Sequence, residues 1–138
     1  MKQEITRTDA TTTVKVLKDE LIRFKQERGW GKYHSPRNLA VSIAIEAAEL
    51  MEHFQWGNED IKKNIPDIAD ELADVLSYVL DFADSLDIDV TTAFFNKRAR
   101  VEKKYPVALF NPKTENRDVY DTVKKAYRKN ARTETRES

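Results

Sequence analysis

The chain has 138 residues, 24 Lys+Arg against 24 Asp+Glu, and no cysteine. That length suits one domain with a core of its own, and the balanced charge gives no global field favouring a nucleic acid polymer or a membrane. Without thiols there is no disulfide, no thiolate nucleophile and no Cys-type zinc site. No apolar run reaches the roughly 18 residues of a membrane span, and the opening MKQEITRTDATTT has no signal-peptide pattern, so a cytoplasmic protein is expected.

Charged residues at 35% with only 3 Gly fit a helical protein with few tight turns. Residues 1–11 are polar and expected to be flexible. Thr11 to Thr13 offer a cap for a first helix, whose stripe runs Val14, Leu17, Leu21, Phe24 and Arg28 until Gly29 ends it. The loop WGKYHS follows. Ser35 then Pro36 reads as N-cap and first helical residue of a second helix, expected to run to about Gln55. Its core face carries Leu39, Ile43, Ala47, Leu50 and Phe54.

The piece NEDIKKNI leaves room for a short turn, and Pro66 argues against one uninterrupted helix through it. A third helix is predicted from about Pro66 to Leu86, with Ile68, Leu72, Val75, Val79, Phe82 and Leu86 as its stripe. Asp89 can cap a fourth helix, Val90 to Lys104, which Pro106 ends. From Asn111 onward the chain carries 8 Lys+Arg against 5 Asp+Glu, a mildly basic tail. Val119, Val123 and Tyr127 form a weak stripe there, room for one short helix. No alternation is long enough for a strand. The expected organisation is a flexible 1–11, an all-α four-helix bundle domain over 12–107, and a basic tail over 108–138.

Two acidic pairs stand out, Glu46 with Glu49 and Glu71 with Asp74. Each is spaced i, i+3, so both carboxylates of a pair leave the helix on one side. Ser42, Glu46, Glu49 and His53 span roughly 60° of the second helix, while Asp67, Glu71, Asp74, Tyr78 and Asp81 line a strip of the third. Facing carboxylates repel unless a cation holds them, and an oxygen-only set suits Mg²⁺ or Mn²⁺ rather than zinc. The spacing is also met by solvated faces of ordinary amphipathic helices. Trp30, Tyr33, His34, Trp56 and Tyr78 gather at helix ends or on the acidic strip, where aromatic planes suit a nucleobase. Each taken alone is equally a core-closing aromatic. No Gly-rich phosphate loop and no Ser/His/Asp arrangement is visible, so cations must hold any phosphates. Lys97, Arg98, Arg100, Lys103 and Lys104 are available, and a solvated face would carry the same charges.

The order ER-x-W (Glu27, Arg28, Trp30), HSPRNLA (His34 to Ala40), IEAAELMEHFQW (Ile45 to Trp56), DELADVLSYV (Asp70 to Val79), Lys97 and KKYP (Lys103 to Pro106) resembles a known family. It is that of the MazG-like all-α nucleoside triphosphate pyrophosphohydrolases, and within it the dCTP pyrophosphatase branch. The likeness covers about residues 14 to 107. It implies Glu46, Glu49, Glu71 and Asp74 as Mg²⁺ ligands, Mn²⁺ being a substitute, and Trp30, His34, Asn38, Trp56 and Tyr78 as residues lining or bordering the nucleotide pocket. Lys97 falls on a phosphate-contacting lysine. Two positions depart from the pattern: Val101 stands where relatives often carry Asn, and Leu21 where the dCTP branch can have His. Both bear on the base, not on the metal chemistry.

The implied activity is Mg²⁺-dependent cleavage of a nucleoside triphosphate, dCTP or a modified dCTP, to monophosphate and pyrophosphate, with Glu49 as proton acceptor. The use would be cleansing of the nucleotide pool, by a homodimer or homotetramer. Two alternatives remain at this stage: a non-catalytic helical interaction module, and a related all-α hydrolase of another nucleotide such as dUTP.

Overall fold

The computed structural model describes residues 7–57, 61–111, 113 and 115–134, with side chains up to residue 129 in the last helix. The described chain is all-α: α1 is Val14–Glu27, α2 Pro36–Glu52, α3 Ile65–Ser85, α4 Val90–Lys104 and α5 Arg117–Glu134. Short 3₁₀ turns cover Trp30–Tyr33 and Val107–Leu109. Two compact units divide it, residues 1–91 and residues 92–138.

In the first unit the helix starts follow the capping chemistry read from the sequence. The Thr13 side chain accepts from the Val16 N–H at 3.3 Å and the Ser35 hydroxyl from the Asn38 N–H at 3.3 Å, with Pro36 in the first helical turn. Each satisfies one of the amide groups left free at a helix start. Gly29 leaves α1 through a left-handed conformation, φ 64°, which costs glycine little. α2 stops at Glu52, earlier than expected, and the chain then turns with Phe54 N–H on Met51 O at 3.0 Å. Of the segment NEDIKKNI, residues 58–60 lie outside the described residues; 61–64 form a turn that leads directly into α3.

α3 ends without glycine. Asp87 takes φ 53°, the Ile88 N–H reaches Ala83 O at 2.8 Å and the Asp87 N–H reaches Asp84 O at 3.1 Å. That pair of bonds is the Schellman closure, and Asp is among the few residues that tolerate the left-handed position.

α2 and α3 make the main packing contact of this unit, and α1 packs on α3 as well. His34, just before α2, meets Asp81 late in α3, whereas Glu46 and Glu49 late in α2 meet Glu71 early in α3. The two helices therefore run antiparallel. Leu39, Leu80 and Ala83 are the buried apolar residues among those described. Much else that is apolar stays open, including Leu72 at 57% and Leu76 at 45% exposure.

In the second unit, α5 has 18 residues, far more than the one short helix expected of the tail. It is anchored by aromatics. Tyr105 stacks on Tyr120 at 5.2 Å and meets Phe110 at 6.1 Å, and the Lys104 ammonium sits 4.1 Å over the Tyr127 ring. Val119 and Val123 are half-buried beside them. The polar stretch before α5 is tied back by Asn116, whose side chain bonds the Asn111 N–H at 3.1 Å and the Asn111 carbonyl at 2.6 Å. Residues 1–6 and 135–138, the outer ends of the expected flexible N-terminus and basic tail, lie outside the described residues. Among the described residues no helix is long and apolar enough to cross a membrane.

Candidate active site

Antiparallel packing of α2 on α3 brings the two acidic pairs together. One carboxylate oxygen each from Glu46, Glu49 and Glu71 lie within 4.8 Å of one another. Glu46 and Glu71 are half-buried; Glu49 and Asp74 are exposed. Asp74 lies outside that closest trio, yet its charge acts on Glu46. The Glu46 carboxyl is raised above the usual carboxylate range, first by burial and then by repulsion from Glu49, Asp74 and Glu71. Both effects penalise the charged form.

No Lys or Arg forms an ion pair with any of the four among the described residues. The arrangement is therefore strained by its own charge, with no Lys or Arg counter-ion among the described residues. An oxygen-only donor set of this kind fits a hard divalent cation.

Beside it lies a cavity of about 300 Å³, whose walls include Phe24, Trp30, His34, Tyr78 and Asp74. The Trp30 ring meets Phe24 edge-on at 5.6 Å and lies 6.3 Å from His34, which lies 6.4 Å from Tyr78. Asp74 thus belongs to the acidic cluster electrostatically and to the aromatic cavity by position.

Of the residues singled out in the sequence, Trp30, His34 and Tyr78 come together in this cavity. Asn38 does not line it: its amide donates to the Tyr33 carbonyl at 2.9 Å and ties the Trp30–Tyr33 turn to the start of α2. Trp56 is 90% exposed and is not part of the cavity wall. His53 caps the end of α2. Lys97 lies on α4 in the second unit.

Sequence reading missed two contributors, Phe24 and Lys25. Both lie on α1, and Lys25 reaches a partner 56 positions away, Asp81. Asp81 itself was legible as a member of the α3 strip, although its pairing was not.

An all-α bundle with four acidic residues on two antiparallel helices and an aromatic cavity alongside defines a class of carboxylate-lined helical proteins. Comparison with known proteins narrows it. The MazG-like family matches residues 41–115, more than half of the chain. The chain belongs to the MazG-like family.

Among curated relatives, dCTP pyrophosphatase 1 of Mus musculus is 33% identical over 93 residues, covering 62% of this chain and 55% of the relative. The Homo sapiens protein of the same name is 31% identical over the same length. The matched region is thus about half the length of these curated relatives. Among solved structures, a pyrophosphatase from Archaeoglobus fulgidus superposes with a TM-score of 0.65 at 38% identity, covering 73% of this chain and 99% of that one.

Proposed function

We propose that the protein is a divalent-metal-dependent nucleoside triphosphate pyrophosphohydrolase acting on dCTP or a modified dCTP, in cleansing of the cytoplasmic nucleotide pool. The observation that carries this reading is the junction of two features at Asp74. A carboxylate cluster with no Lys or Arg ion pair among the described residues, suited to Mg²⁺ with Mn²⁺ as substitute, borders an aromatic cavity suited to a base. The names of the matched relatives support the same chemistry.

In this reading Glu46, Glu49, Glu71 and Asp74 hold the metal, which when bound neutralises phosphate charge and lowers the pKa of a water. Glu49, exposed at the cluster, takes the proton of the attacking water. The water oxygen bonds to the α-phosphorus, the bond to the bridging oxygen breaks, and monophosphate and pyrophosphate leave. Trp30, His34 and Tyr78 sandwich the base, and Asn38 acts by fixing the turn that carries Trp30. Trp56 as a second wall and Lys97 as a phosphate contact rest on the family resemblance.

The working form is a homo-oligomer, dimer or tetramer. A chain of this length ordinarily buries a sizeable core, whereas here Leu72 and Leu76 of α3 remain largely open. Apolar surface of that kind marks an interface.

The test is product analysis with Mg²⁺ over a panel of nucleoside triphosphates. dCTP should give dCMP and pyrophosphate. Orthophosphate as the first product rules the mechanism out. No turnover of any nucleotide favours a helical interaction module, and preferential turnover of dUTP moves the substrate within the same chemistry.

A further inference from the structure

Beyond the carboxylates and the aromatic walls, the cavity holds an ion network around His34 whose other members, Lys25 and Asp81, the proposed chemistry does not use. Asp81 is buried on α3, its side chain 9% exposed. One carboxylate oxygen accepts from the Lys25 ammonium and the other from His34 Nδ1–H at 2.5 Å. Lys25 also lies 3.7 Å from Asp84, too far for a hydrogen bond. Its side chain is only 16% exposed, and Lys25, His34 and Asp81 all line the cavity.

Stability alone does not account for this network. A buried ion pair is about break-even against well-packed apolar residues of similar size, and the positions sit among Leu21, Phe24 and Trp30. The bonding inventory is also incomplete. A lysine ammonium carries three N–H donors, and among the described residues one of them has a hydrogen-bond acceptor, Asp81. With Nδ1 spent on Asp81, the His34 ring leaves Nε2 without a hydrogen-bond partner among the described residues. The floor therefore offers unused polar capacity where a bound base would end.

Position supports this. Glu71, Asp74, Tyr78 and Asp81 recur at helical spacing along one face of α3. From Asp74 to Asp81 the helix rises roughly 10 Å, comparable with the reach from the 5′-phosphate to the far edge of a pyrimidine in an extended nucleotide. The charges of Lys25 and Asp81 offset each other, so the floor does not repel a base.

We propose that Lys25, held by Asp81 and flanked by His34, is the base-selecting residue of the cavity and donates a hydrogen bond to a ring carbonyl oxygen of the nucleobase. The ligand class is an oxo-bearing base: cytosine, uracil, thymine or guanine. Adenine has no ring carbonyl oxygen; its acceptors are ring nitrogens, which lie closer in than an exocyclic oxygen and do not meet a donor placed for one. The inference rests on the reading of the cavity as the base site. Asp81 is a positioning residue, since it acts through Lys25 and His34.

The experiment measures KM and kcat for dCTP, dUTP, dGTP and dATP with wild type, Lys25→Met, Lys25→Gln and Trp30→Ala. Loss of a hydrogen bond from a charged donor should raise KM for the three oxo-bearing substrates about tenfold to a hundredfold. kcat should change little and dATP should be unaffected. Lys25→Gln, which keeps a donor, should recover part of the loss. Because Lys25→Met leaves Asp81 with His34 alone and one oxygen without its cation, the double variant Lys25→Met/Asp81→Asn is measured too, and it should lose the same selectivity. An equal KM rise for all four nucleotides, or a fall in kcat alone, makes the network a scaffold and overturns the proposal. If Trp30→Ala leaves KM unchanged for all four, the cavity is not the base site and both readings fall. Absence of turnover in the wild type refutes the activity itself.

Discussion

Replacing Glu46 by Gln tests whether the acidic cluster is a metal site, because the expected effect changes sign with the metal. Without metal, Glu46 faces the charges of Glu49 and Glu71 with ligand atoms within 4.8 Å. Coulomb's law at that distance gives about 0.9 kcal/mol per pair in water and about 3.5 kcal/mol at an effective dielectric of 20. The cluster is only partly buried, so the lower figure applies to each of two pairs, further reduced by salt. Neutralising Glu46 should then stabilise the metal-free protein by about 1–2 kcal/mol near pH 7, a rise in Tm of roughly 2–8 °C. The pH dependence follows from the raised Glu46 carboxyl. A carboxyl whose folded pKa lies above its unfolded value, about 4.3, destabilises the fold as pH rises past the unfolded value. The advantage of Glu46→Gln should therefore fade as pH falls toward about 4 and grow toward neutrality. In saturating Mg²⁺ the order should reverse. The wild type gains about 2.7 kcal/mol at a hundredfold excess over Kd, while the variant has lost a ligand. Thermal unfolding followed by circular dichroism, in chelator and in Mg²⁺, reads all of this. A variant less stable than wild type in chelator near neutrality, or equal gains from Mg²⁺ in both proteins, refutes the reasoning.

Two further outcomes concern the scaffold. Leu39, 1% exposed at the start of α2, should cost about 2–5 kcal/mol when truncated to Ala, read as a lowered urea midpoint with an unchanged slope; a shift of a few tenths would mean that α2 is not the packing centre. Leu72→Arg/Leu76→Arg should convert the proposed oligomer to monomer in sedimentation analysis with helicity retained, and an unchanged sedimentation coefficient would place the interface elsewhere.

Local rules made much of the fold legible. The Thr11 to Thr13 run and Ser35 announced the starts of α1 and α2, and the i, i+3 spacing was enough to put each acidic pair on one side of its helix, where Glu46, Glu49 and Glu71 come within 4.8 Å and Asp74 acts on Glu46 by charge. What escaped depended on partners distant in sequence or on unusual closures. Lys25 reads as one more solvated lysine on α1 until the fold sets it against Asp81. α3 closes on Asp87, a residue with no glycine signal, through bonds visible only in three dimensions. The length of α5 was hidden because its stripe is weak. Its anchoring comes from Tyr105 and Lys104, which precede it by more than a turn of chain and reach it only after the 3₁₀ segment. Trp56 and Trp30 looked equivalent in sequence, both flanking α2. The 3₁₀ turn held by Asn38 delivers Trp30 to the cavity, whereas Trp56 follows the last turn of α2 into solvent.

α3 concentrates these features. Its polar strip runs Glu71, Asp74, Tyr78, Asp81, from the carboxylate cluster through the aromatic wall to the cavity floor. A second strip runs Leu72, Leu76, Leu80, Ala83, and its environment changes along the helix: the last two are buried and the first two are open. The two strips lie on nearly opposite faces of the helix, roughly 175° apart at about 100° per residue, so whatever seats the apolar strip also sets the azimuth of the polar one. At the Asp81 end, Leu80 and Ala83 are already seated, and the Lys25–Asp81–His34 network is formed. At the Glu71 end the apolar strip is unseated and the carboxylates repel one another. The cavity end is thus preorganised within one chain. The carboxylate end is the part with most to gain from the proposed second copy packed over Leu72 and Leu76. Oligomer formation and metal affinity should therefore be coupled through the rotation of one helix.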